Sequence, residues 1–531
     1  MDKQRTYNIL FHTHTVSSIV ISVALYVIFF AGSFSFFRDE IVNWERGHTI
    51  QFQDEIGSNL DSLLSGLGES YDLKGRDIHF LRYYNERRLS VNLGGSKDST
   101  AEESDQVGAF FYIDTEDKST ATYQDSYTLG EFLYRLHFFA QIPYPFGYYL
   151  SGFVAFFFLF AILTGLIVHW KKIISNFYVF RPWAKLKTIW TDSHTALGLI
   201  GFPFQLVYAL TGAFFMLQAL IYAPYISALY DGDEQAMNQE MGYTDPEFPY
   251  TYESLNEYSD LNLYLDQTRE KWKEFKLTEL AVFNYGDQNM HLSLSGELDP
   301  ASSLSAPGKI IYKISDGSIV YEKDPTRESS YFDTVQSLLY KLHLADYAGY
   351  GLRIISFILG LLSCFVILSG VMIWFVARNK KHIPEKQRAF NRKVAESYLA
   401  ICLSMYPMIA LEFILIKCFP LAGMDFLYQS FFSGWLILSL FFTFRKDNSF
   451  TTRYTLLLGA ILGMLVPVFN GLLSGNWIWV SWKEGMDQIL FIDLLWIVLS
   501  ATTFLAVQKM KTKKQKPGEK MAKPKVKVAS I

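Results

Sequence analysis

Four histidines recur at matched places along this chain: His14, His137, His194 and His343. His14 stands 18 residues before Gly32, and His194 stands 18 before Gly212. Phe34 and Phe214 follow at equal offsets. The segment Leu133-Tyr134-Arg135-Leu136-His137 is echoed by Leu339-Tyr340-Lys341-Leu342-His343. Each histidine stands at or just outside the edge of a long apolar run, where an ionisable side chain is costly and tends to serve a function. One such histidine is ordinarily a polar edge residue. Four in matched pairs point to shared chemistry.

If a two-fold axis along the membrane normal relates the pairs, His14 faces His194 and His137 faces His343. A haem iron takes one axial ligand from each face, and such sites form between facing helices of a bundle. The pattern therefore predicts two haems, one ligated by His14 and His194, the other by His137 and His343. His169, which ends the second apolar run, is an alternative ligand in place of His14 or His194. Its repeat partner is Trp374. Gly32, Gly165, Gly212 and Gly370 suit close approach of a flat macrocycle or of a neighbouring helix. Zinc prefers three or four close protein ligands, and no HExxH spacing occurs.

These histidines need membrane helices to position them. Half of the 531 residues are apolar and only 19% are charged, below the ~25% usual for a soluble protein. A purely soluble enzyme is excluded. An apolar stretch of about 20 residues spans a bilayer. Eight such spans are expected, near 15–37, 147–169, 195–221, 351–376, 397–418, 425–444, 455–475 and 487–507. The first is expected to be a retained signal anchor, because no small-residue cleavage site follows it.

Lys and Arg set the orientation. They gather at Lys3 and Arg5, after span 2 (Lys171, Lys172, Arg181, Lys185, Lys187), after span 4 (Arg378 to Lys393), after span 6, and in a tail with nine lysines from Lys509 onward. These places alternate correctly for cytoplasmic termini. Two long insertions, 38–136 and 223–342, then lie outside. Together they carry a net charge of −21 in a chain whose total is −4. No basic domain exists to bind nucleic acid. Three cysteines, all in or beside apolar runs, make neither a disulfide framework nor a cysteine-based metal site.

Each insertion shows a helix-like pattern (Asn59 to Leu67; residues 254–274) followed by short alternating runs. Asp316-Gly317 marks a hairpin turn between Ile311 and Tyr321. The expected fold is a mainly α membrane protein with two extracytoplasmic α+β domains and an internal two-fold repeat in spans 1–4. Its parts are 1–37 with span 1, domain 38–136, 137–222 with spans 2 and 3, domain 223–342, 343–380 with span 4, an appended four-helix unit 381–508, and a basic tail 509–531.

With His14…Gly32, Asp192-Ser193-His194…Thr211-Gly212, the two Leu-His segments and Ser369-Gly370-Val371-Met372-Ile373-Trp374, the chain resembles the PepSY-associated transmembrane proteins. These include iron-regulated inner-membrane proteins and ferric-siderophore reductases. The resemblance covers roughly residues 10–380. It departs after His14, where Thr15-Val16-Ser17-Ser18 replaces a basic-aromatic-Leu-Gly run, and the Pro often found after the span 4 Trp is absent.

The resemblance implies PepSY-like outer domains, b-type haem, a bacterial inner-membrane location and reduction of a periplasmic ferric siderophore or other ferric chelate. No dinucleotide fingerprint is present, so the donor is expected to be a separate cytoplasmic flavoprotein or a quinol. Two other readings compete with this one. One is a non-enzymatic binding or regulatory module on a membrane anchor. The other is a transporter, resting on Glu412 and Lys417 in span 5.

Overall fold

Apolar runs of this length must satisfy their own backbone polar groups inside a bilayer, which makes them helices. The computed structural model describes residues 3–47, 56–57, 59–170, 173, 181, 186–241, 244–255, 257–299, 307–327 and 330–510. In chain order its helices are α1 (Lys3–Ser35), α2 (Arg38–Arg46), α3 (Leu60–Gly68), α4 (Leu129–Leu136), α5 (Phe146–His169), α6 (Leu186–Ile200), α7 (Phe202–Leu229), α8 (Glu234–Glu240), α9 (Asn262–Lys271), α10 (Tyr331–Leu344), α11 (Gly349–Arg378), α12 (Glu385–Cys418), α13 (Gly423–Arg445), α14 (Asn448–Ser474), α15 (Ile478–Lys483) and α16 (Asp487–Lys509). Eight of them, α1, α5, α7, α11, α12, α13, α14 and α16, are long and apolar enough to cross a membrane. The protein is a multi-pass membrane protein.

Several helices run past the limits that hydropathy sets. α1 begins at Lys3 and α12 at Glu385, because a helix continues through polar turns that an apolar window does not register. Span 3 is interrupted instead. Its polar entry forms α6, and a new helix starts after Gly201 with Pro203 in its first turn, where a missing N–H costs nothing. The loop lysines Lys171, Lys172 and Lys185 and the tail from Lys511 lie outside the described residues.

The insertions differ from expectation. They are not two separate domains but one. Strands β1 (Ile78–Leu81), β2 (Arg88–Leu93), β3 (Ala109–Asp114) and β4 (Thr120–Thr122) come from the first insertion. Strands β5 (Phe275–Phe283), β6 (His291–Leu298), β7 (Pro307–Lys313) and β8 (Ile319–Lys323) come from the second. They form one antiparallel sheet in the order β4-β3-β2-β1-β5-β6-β7-β8. The seam pairs Ile78 with Val282 and Leu81 with Glu279. An open strand edge is a liability, and each four-stranded meander closes the other's edge. The seam also merges two small cores into one, containing Ile78, Phe80 and Leu64 from the first insertion and Leu280, Val282 and Leu265 from the second. Asn59 caps α3 by accepting the Ser62 N–H at 2.8 Å. Asp316-Gly317 makes the expected turn, with Gly317 at φ 70°.

Candidate functional site

The helix packing brings the four matched histidines together in two pairs. The rings of His14 (α1) and His194 (α6) lie 6.4 Å apart, with their planes crossed at 71°. The rings of His137 and His343 also lie 6.4 Å apart, with planes at 31°. Gly32, against which His137 packs, is 18 residues along α1 from His14, about 27 Å at 1.5 Å per residue. The pairs therefore sit at opposite ends of the layer made by α1, α5, α7 and α11. The His137–His343 pair is on the side of the sheet. Phe29, Phe158 and Phe204 pack together at intermediate depth.

The surroundings of each ring follow from its helix. His14 Nδ1 reaches the Ala161 carbonyl at 2.9 Å, and a Cβ on Gly165 would stand 3.1 Å from its Cε1. His194 Nδ1 reaches the Val366 carbonyl at 3.0 Å and the Ser369 hydroxyl at 3.1 Å, and a Cβ on Gly370 would stand 3.2 Å from its Cε1. These are the same contacts made twice. His137 is the C-cap of α4, and its Nδ1 bonds the Tyr134 carbonyl. His343 Nδ1 bonds the Thr211 hydroxyl at 2.7 Å.

Three rings thus have Nδ1 on a backbone carbonyl, which can only accept, and His343 Nδ1 meets a hydroxyl that gives its own proton to the Val207 carbonyl at 2.7 Å. This assigns the proton to Nδ1 and leaves Nε2 as the free lone pair, the usual arrangement of a metal-ligating histidine. Burial lowers the pKa of His137 to about 4 and of His343 to about 3, so both are neutral at neutral pH.

The spacing suits one metal per pair. A metal–imidazole bond is about 2 Å and a ring nitrogen lies about 1 Å from its centroid, so opposed ligands have centroids roughly 6 Å apart. Among the described residues no group of three or more His, Cys, Asp or Glu side chains gathers around a common point. Two imidazoles alone fit a metal that brings its own equatorial ligands. A cavity of about 930 Å³ contains the His137–His343 pair. Its floor is apolar (Leu25, Ile28, Phe29, Phe158, Phe204), and its rim carries paired charges, Lys276 with Asp299 at 2.6 Å, Lys341 with Glu297 at 2.8 Å and Arg353 with Glu40 at 2.5 Å.

His169 ends α5 within electrostatic reach of His194, and remains a neighbour of that pair. The other described histidines do not join either pair. His12 is exposed, His79 meets Glu279 at 3.3 Å, and His291 stacks on Phe248 at 3.8 Å. Sequence reasoning named Thr211 and Ser369 only as members of motifs and gave their hydroxyls no role, although each meets an imidazole. Their position one residue before a paired glycine was the available signal.

No curated protein matches the chain. Residues 11–377 match the family described as the PepSY-associated TM region, a stretch that contains both histidine pairs and the sheet. With well over half of its length matched, the chain belongs to the PepSY-associated TM region family.

Proposed function

We propose that this protein is a two-haem transmembrane electron-transfer protein that reduces a ferric chelate, such as a ferric siderophore, on the side of the sheet. One observation carries the reading: two imidazole pairs with equal 6.4 Å separations, at opposite ends of one helix layer, each ring with Nδ1 tied off. His14 and His194 would hold one b-type haem, and His137 and His343 the other. Haem in these places would supply one-electron carriage between the two sides of the membrane. The cavity matches the amphipathic outline of the group, apolar below and polar at its rim, where cations and carboxylates are paired.

The residues provide orientation and burial. Nδ1 acceptors hold each ring with Nε2 inward, and the phenylalanines between the pairs keep water out. We read spans 1–4 as an internal two-fold repeat. The 205-residue offset that relates Ala161 to Val366 and Gly165 to Gly370, and the 180-residue offset that relates His14 to His194, support this. The sheet joined at its central β1–β5 seam fits the same axis. The charge split supports cytoplasmic termini and an outward-facing sheet, and the family resemblance implies a bacterial inner-membrane location. The net charge of −21 on the insertions favours a neutral or cationic chelate over a strongly anionic one. The donor on the cytoplasmic side would be a flavoprotein or a quinol.

The test is a visible spectrum of the detergent-purified chain, oxidised and dithionite-reduced, with a pyridine haemochrome count. About two haems b per chain are expected from the two pairs. No haem after supplementation during expression would overturn the reading and leave a binding module on a membrane anchor.

A smaller effect is expected from Gly370→Ala. The added methyl would stand 3.2 Å from His194 Cε1, so the ring must shift by a few tenths of an ångström. Haem content should hold, while the electron paramagnetic resonance (EPR) signal of the His14–His194 site alone moves. An unmoved signal would show that His194 is not a ligand.

A further inference from the structure

The C-terminal unit from α12 to α16, four spans and the short α15, begins beyond residue 377, where the family match ends. Its buried polar residues converge on α2, the nine-residue helix that follows α1. Asp493 of α16 accepts the Trp44 indole N–H through Oδ1 at 2.8 Å and the Asn470 amide through Oδ2 at 3.0 Å. Gln488 accepts from Asn43 at 2.6 Å. Lys417 of α12 donates to the Trp44 carbonyl at 2.5 Å and to the Ser474 hydroxyl at 3.2 Å, and its ammonium sits 4.2 Å from the Trp44 ring centroid. Trp44, Asn470 and Asp493 are fully buried. Buried polar groups that satisfy one another specify a single arrangement.

The other face of α2 grips α4. Arg38 donates to Glu131 at 2.8 Å and to Glu86 at 3.1 Å, and Glu45 accepts the N–H of Leu129, the first residue of α4, at 2.7 Å. Phe132 of α4 also packs on Phe431 of α13 at 4.9 Å. His137 caps the last turn of α4. The matching helix α10, which carries His343, lacks this cover. It exposes Tyr331, Leu338, Tyr340 and Leu344, and of its described residues only Lys341 is buried.

We propose that the C-terminal four-helix unit is a brace, acting through α2 to fix α4 and so to position His137, and that the His343 arm is the half of the site that moves to admit its ligand. The role of His137 as a ligand rests on the function proposed above; the brace does not.

Hydrogen–deuterium exchange on the full chain in detergent tests it, with wild type, D493A, D493N and W44F. In wild type, peptides over 331–344 should exchange faster than those over 129–136. D493A should speed exchange of 129–136 about tenfold, the scale of one lost buried hydrogen bond, and leave 331–344 unchanged. W44F removes the indole donor and part of a fully buried ring, and should act in the same direction. D493N should stay near wild type, because Asn still accepts from Trp44 and the Asn470 amide can turn to present its oxygen.

Unchanged exchange of 129–136 in D493A, or an equal rise in α10, would overturn the brace. In the haem-loaded protein, D493A should alter the sheet-side EPR signal and not the other. Loosened α4 with an unaltered sheet-side signal would break the link from brace to His137. Wild type without haem would count against the proposed function, and the exchange comparison would still decide the brace.

Discussion

Alanine at His343 is expected to lower the haem content from about two per chain to about one, and alanine at His137 to do the same. The two rings form a single site. Their centroids are 6.4 Å apart, and in the proposed function they would hold one iron between them. Removing either would leave that iron with one protein ligand in a buried apolar cavity, which a bis-imidazole site does not tolerate.

The surviving haem can be identified as well as counted. The His14 and His194 planes cross at 71°, whereas the His137 and His343 planes differ by 31°. Crossed imidazole planes push the low-field EPR signal of low-spin ferric haem to larger g. Wild type should thus show two ferric signals, and H137A and H343A should both retain the larger-g one. H14A and H194A should retain the other. Unchanged haem content in H137A and H343A would remove this pair as ligands. Loss of both haems in every variant would mean that the ligands serve folding rather than separate sites.

The pairing was legible because a repeated chain writes each pair twice. His14 and His194 share their distance to a glycine, and His137 and His343 share a Leu-Tyr-basic-Leu-His segment. Hydropathy also located all eight spans, since a bilayer imposes one length on every crossing.

The joined sheet was not legible. Strands β1 and β5 are almost 200 residues apart, and an alternating apolar pattern says which face of a strand is buried, not which strand lies beside it. The hold on α2 was equally hidden. Arg38, Glu40 and Asn43 look like an exposed polar linker after span 1, yet all three are buried, because partners arrive from residues 86, 131, 353 and 488. Charges that pair over such separations leave no local periodicity to read.

The second large effect is expected at Thr211, which is not one of the proposed ligands. Its hydroxyl donates to the Val207 carbonyl at 2.7 Å, so toward His343 it can only accept. That fixes the His343 proton on Nδ1 and turns Nε2 toward the cavity. Thr211→Val keeps the shape and removes the acceptor. The imidazole N–H is then buried without a partner, at a cost of about 1–3 kcal/mol, and nothing selects its tautomer. Loss of such a supporting contact typically weakens metal binding about 10–100-fold.

Haem titration of the stripped protein should show that loss at the sheet-side site only, with the His14–His194 site unchanged and Thr211→Ser close to wild type. Equal affinity in T211V and wild type would mean that helix packing alone orients His343. The matching position in the first half is Ala31, which has no hydroxyl, and there the Tyr134 carbonyl of the same helix serves His137 instead. A braced helix can orient its own histidine through its backbone. An exposed helix such as α10 needs a side chain from span 3 to do so, and this is why the effect should fall on one half of the site.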